Sequence, residues 1–77
     1  MTYEDRVNAS KIVTKLVYLY DRTRVAKLLG VTKHNVTTAM NMTTYLTARS
    51  YSYCAPERVI KIVLDWYKET GGIVLPS

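Results

Sequence analysis

The chain has one cysteine, Cys54, and one histidine, His34, in 77 residues. No intramolecular disulfide can form, and no zinc site of four cysteines, or of two cysteines and two histidines, can be assembled. Acidic residues are scarce, six against eleven Lys and Arg, which leaves a net charge of +5 and a pI of about 9.5. That excludes a DNA mimic or an acidic inhibitor and favours a polyanionic partner. No apolar run approaches the roughly 18 to 20 residues of a membrane span. The start, Met1-Thr2-Tyr3-Glu4-Asp5, has no basic segment leading into such a run. A cytoplasmic location, in a bacterial host cell or its nucleoid, is therefore expected, with no membrane partner. There is no glycine-rich phosphate loop and no nucleophile-base constellation, so the chain is expected not to be an enzyme. No cofactor, metal or small-molecule ligand is inferred.

What is present is an apolar fraction of 48% in a chain of 8.8 kDa, enough for one small core and too little for two. Asp21, Gly30, Pro56 and Gly71-Gly72 punctuate it. Thr2 is a suitable N-cap for a helix over about 3–20, with Glu4 and Asp5 in its first turn. At 100° per residue, Ala9, Ile12, Val13, Leu16, Val17, Leu19 and Tyr20 share one face, opposite Glu4, Lys11 and Lys15. Asp21 caps a short second helix that ends at Gly30, where positive φ is available. Thr32 caps a third helix, which turns Val36, Ala39 and Met40 inward and runs to at least Asn41.

The expected architecture is all-α, four to five short helices in one domain over 1–77: a helix-turn-helix over 22–41, a linker over 43–55, a helix over 56–70 and a short tail over 71–77. The Thr- and Tyr-rich stretch 43–53 is open between an extension of the third helix, a loop, and a short β element pairing with 73–75 or with a second subunit. Pro56 is expected at the first position of the last helix, with Glu57 in its first turn and Lys68 in its last. The apolar residues of that helix, Ile60, Leu64, Trp66 and Tyr67 among them, span about 200° of the wheel. Such a surplus predicts a second buried contact, for which a second copy of the chain is the candidate.

Charge is concentrated in the middle of the chain. Residues 21–49 hold Arg22, Arg24, Lys27, Lys33 and Arg49 against Asp21 alone, whereas residues 50–77 are neutral. The same stretch carries a helix-turn-helix pattern. Ala26 stands where the two helices approach most closely, Gly30 makes the turn, and Leu29, Val31 and Val36 are apolar pegs, continued by Ala39.

The segment TRVAKLLGVTKHNVTTAM resembles the helix-turn-helix of Cro-type phage repressors, and VAKLLGVTKHNVTTAMN is similar to the headpieces of Lac-repressor-type regulators. The likeness covers about 20 of the 77 residues. The later PERVIKIVLDWYKETGGIVLP is similar to the helix that follows in those headpieces, with a longer linker here. A helix ahead of the motif is more like small phage regulators, whose strand-mediated dimer has no clear counterpart in this sequence. The resemblance implies double-stranded DNA as partner, with Lys33, His34, Thr37 and Thr38 facing base edges and Thr32 and Asn41 at their margins. Arg22, Thr23 and Arg24 would meet phosphate, with Lys27 and Arg49 added to that rim. It implies a transcriptional repressor of a phage or mobile element, bound as a homodimer to a palindromic operator.

Two other readings stand beside this one. An assembly or interaction module on the same fold, such as a packaging adaptor or an anti-defence protein, would use the last helix and the tyrosines at 45, 51 and 53. A sequence-blind architectural binder would use charge alone. Tyr18, Tyr20 and Tyr67 are expected in the core, whereas Tyr45, Tyr51 and Tyr53 suit either a nucleic-acid backbone or a subunit seam.

Overall fold

The computed structural model describes residues 2–47 and 55–73. Its four helices are α1 (Tyr3–Leu19), α2 (Arg22–Leu29), α3 (Lys33–Thr47) and α4 (Glu57–Thr70). The described part is all-α, and none of its helices is long and apolar enough to cross a membrane.

Each boundary has a local cause. Thr2 and Asp5 form a capping box: the Thr2 N–H donates to Asp5 Oδ2 at 3.1 Å, and the Asp5 N–H donates to Thr2 Oγ1 at 3.0 Å. Asp21 Oδ1 accepts from the Arg24 N–H at 2.7 Å and starts α2. Gly30, with φ 71° and ψ 35°, ends it in the left-handed region. The Val31 N–H then donates to the Ala26 carbonyl at 3.0 Å, which closes the turn. Thr32 Oγ1 accepts from the Asn35 N–H at 3.0 Å and caps α3. Pro56 is the N-cap of α4, one position earlier than expected, and Gly71 ends α4 at φ 65°.

α1 is the hub of the fold, packing chiefly on α3 and then on α4. Its inner face of Ala9, Val13 and Leu16 meets Val25, Ala26 and Leu29 of α2, Val36, Ala39 and Met42 of α3, and Val59, Ile60 and Val63 of α4 in one buried cluster. Val31 and Met40 pack on that cluster half-buried.

Of the alternatives for 43–53, extension of the third helix holds as far as Thr47; residues 48–53 and 74–75 lie outside the described residues. The extra turn of α3 is anchored by Met42, which is fully buried, three residues on from Ala39, so the inward stripe continues past Met40. Residues 43–47 are helical despite the β preference of Thr and Tyr. Tyr18 is not core, being 89% exposed, because it stands about 180° from Ala9 on the wheel of α1. Leu19 and Tyr67 are also exposed, and Tyr20 is half-buried. Ile60 is fully buried within the chain, which removes it from any surface offered to a second copy.

Ser10 is the one buried polar residue among those described, 1% exposed beside Ala9. Its hydroxyl donates to the Met40 carbonyl on α3 at 3.2 Å. Two small residues in succession let α1 and α3 approach closely, and the hydroxyl then fixes how α3 sits on the hub.

Candidate nucleic-acid interface

The buried stripe of α3 settles which residues face outward. Val36, Ala39 and Met42 occupy one side of the helix. At 100° per residue the opposite side is formed by Lys33, His34, Thr37 and Asn41, with Thr38 at its edge. Lys33, His34 and Asn41 are exposed, and Thr37 and Thr38 are half-exposed. Asn41, expected at the margin, stands in the middle of this arc because α3 continues beyond it.

The hydroxyl protons of both threonines are already committed. Thr37 Oγ1 donates to the Lys33 carbonyl at 3.2 Å, and Thr38 Oγ1 donates to the His34 carbonyl at 2.9 Å. What they present outward is an acceptor oxygen and a methyl group. Side-chain donors on the same face come from Lys33, His34 and Asn41.

α2 supplies the cationic rim. Arg24 and Lys27 project opposite the buried Val25, Ala26 and Leu29, and Thr23 is exposed beside them. Arg22 reaches across to α3, where its Nη1 donates to Thr37 Oγ1 at 3.3 Å. That bond joins the start of α2 to the outer face of α3 and leaves other guanidinium N–H groups for a ligand. Arg24 lies over the Tyr20 ring, 4.7 Å from its centroid. Tyr20 thus does more than fill space, since its ring holds a guanidinium of the rim in place.

The two ion pairs among the described residues, Arg6–Glu57 at 3.5 Å and Lys61–Asp65 at 3.0 Å, leave this region untouched. Neither pair involves Arg22, Arg24, Lys27 or Lys33, and the carboxylate beside the motif, Asp21, is directed at the α2 N-terminus. Arg49 lies outside the described residues, as do Tyr51 and Tyr53. The arrangement can place a line of cations beside a convex polar helix of major-groove width, a geometry suited to a phosphate backbone flanking a row of base edges.

Sequence reasoning missed the Arg22–Thr37 and Arg24–Tyr20 contacts, which depend on how the helices cross. The central place of Asn41 had a signal in the sequence, its spacing of four from Thr37. No protein-family model, curated protein or solved structure matches the chain.

Proposed function

We propose that the chain is a sequence-specific double-stranded-DNA-binding transcriptional regulator that acts as a homodimer on an inverted-repeat operator. The observation that carries this reading is the outward face of α3, with Lys33, His34, Thr37 and Asn41 in one arc beside the unpaired cations of α2. Lys33 would donate to guanine O6 or N7, Asn41 would pair bidentately with adenine, and the threonine methyls would contact thymine. Arg22, Arg24 and Lys27 would neutralise phosphate and set the register. One helix reads too few bases for a unique site, so two copies on half-sites about 34–36 Å apart are required. The likeness of 22–41 to small phage repressors favours repression.

Selection from a pool of random double-stranded DNA at moderate salt tests this. An enriched inverted repeat is the expected result. Retention without enrichment, or no retention at all, overturns it.

A further inference from the structure

A second cationic surface lies away from the DNA-reading face. α1 and α4 leave between them a groove of about 540 Å³, to which neither α2 nor α3 contributes. Ile12, Leu16 and Leu19 of α1 face Leu64, Trp66 and Tyr67 of α4 across it. From Asn8 to Leu19 it follows about 17 Å of helix, the length of about three helical turns. Leu16 forms its buried floor, whereas Leu19 is 56% and Tyr67 48% exposed. The Tyr67 ring lies close to the Gly72 backbone, where φ is 84° and a Cβ would stand 2.9 Å from the ring.

Charge decides the occupant. Lys11, Lys15 and Lys68 border the groove, and none of them forms an ion pair among the described residues. The one carboxylate there, Asp5, is held by the α1 capping box. Lys11 and Lys15 are four apart on one helix face, a like-charge spacing that weakens a helix unless an anion answers it. A second copy that met this groove with its own would set one cationic rim against another. We infer that the groove between α1 and α4 is a docking site for an acidic amphipathic peptide segment of a partner protein, its apolar side on Leu19, Trp66 and Tyr67 and its carboxylates on Lys11, Lys15 and Lys68. The site does not depend on the DNA-binding reading, although Tyr20, whose ring carries Arg24, also lines the groove.

Trp66 is the only tryptophan and reports directly on the groove. The full chain is titrated with two synthetic helical peptides of about three turns, both with leucine along one side, one with glutamate and the other with lysine elsewhere. A saturable change in Trp66 emission with the glutamate peptide, about tenfold tighter than with the lysine peptide, is expected. The Lys11→Glu/Lys15→Glu double variant should reverse that preference. Both positions are exposed, and circular dichroism checks that the variant is folded; Leu19→Ser, which removes wall and leaves charge, should weaken both peptides and serves if it is not. No change with either peptide, or equal affinity for both, overturns the inference. So does saturation by decanoate with the peptides inert, which would make this a site for a small amphiphile, or self-association that shields Trp66 before peptide is added. DNA is absent throughout, so failure here leaves the reading of α3 standing.

Discussion

The α2–α3 pair and the α1–α4 pair both carry unpaired cations on their outer side, and they differ in what lies between those cations. On α3 the intervening side chains are His34, Thr37 and Asn41, polar groups with defined donors and acceptors. Between α1 and α4 they are leucine, tryptophan and tyrosine. Phosphate with base edges suits the first surface, and a chain that carries apolar side chains along with carboxylates suits the second. Cationic charge by itself therefore separates few functions in a chain with a net charge of +5. The ground between the charges does the separating.

The comparison can be broken most forcefully in the core. Ile60 is fully buried and Tyr67, on the same helix and two turns later, is half exposed. Ile60→Ala should cost about 2–5 kcal/mol and Tyr67→Ala at most about 1 kcal/mol, read as the shift of the urea midpoint. Equal costs would make the α4 end of the groove part of the core and remove it as a free surface. On the other pair, Lys33→Ala should cost about 1–3 kcal/mol of operator discrimination while sparing random DNA. Arg24→Ala should weaken both and lower the salt slope by about 1. Binding isotherms on the selected operator and on random DNA at several salt concentrations distinguish these outcomes. Equal losses on both DNAs for Lys33→Ala would deny it a base.

Much of the fold was legible because its signals are local. Asp21, Gly30 and Thr32 act on backbone groups within five residues of themselves, so the turn between α2 and α3 could be read without knowing what packs on it. Gly30 offers the sharpest check of this. A Cβ there would meet nothing within 4 Å, so Gly30→Ala bears only the cost of its positive φ. That cost should be about 1–2 kcal/mol by thermal or urea melting. Gly30→Asn should lose less, since asparagine tolerates the left-handed region.

What escaped the sequence is what depends on distance in space. Met42 carries the buried face of α3 past Met40, and Ser10 is a hydrogen-bond donor across helices that no pattern of apolar residues announces. Tyr18 was misread from its apolar neighbours when its angle on the α1 wheel already placed it outside. The last helix showed a surplus of apolar residues, yet its composition could not say that Ile60 would be used inside the chain while Leu64, Trp66 and Tyr67 would border a groove with α1.

The smallest effect expected is at the far end of α1, where Asp5 belongs to the capping box and also borders the groove. The Thr2 backbone N–H, then the Thr2 side chain, and more weakly the Lys68 ammonium, hold the Asp5 carboxyl below its ordinary pKa of 3.8. A carboxylate whose pKa is lower in the folded chain than in the unfolded one adds stability at pH above the unfolded value. That contribution disappears as the pH falls through the folded value. Asp5→Asn keeps an acceptor for Thr2 and removes the titration. The melting temperature of the native chain should exceed that of Asp5→Asn slightly near neutral pH, and the two should converge in acid. A gap that persisted in acid would mean that Asp5 acts through shape rather than charge.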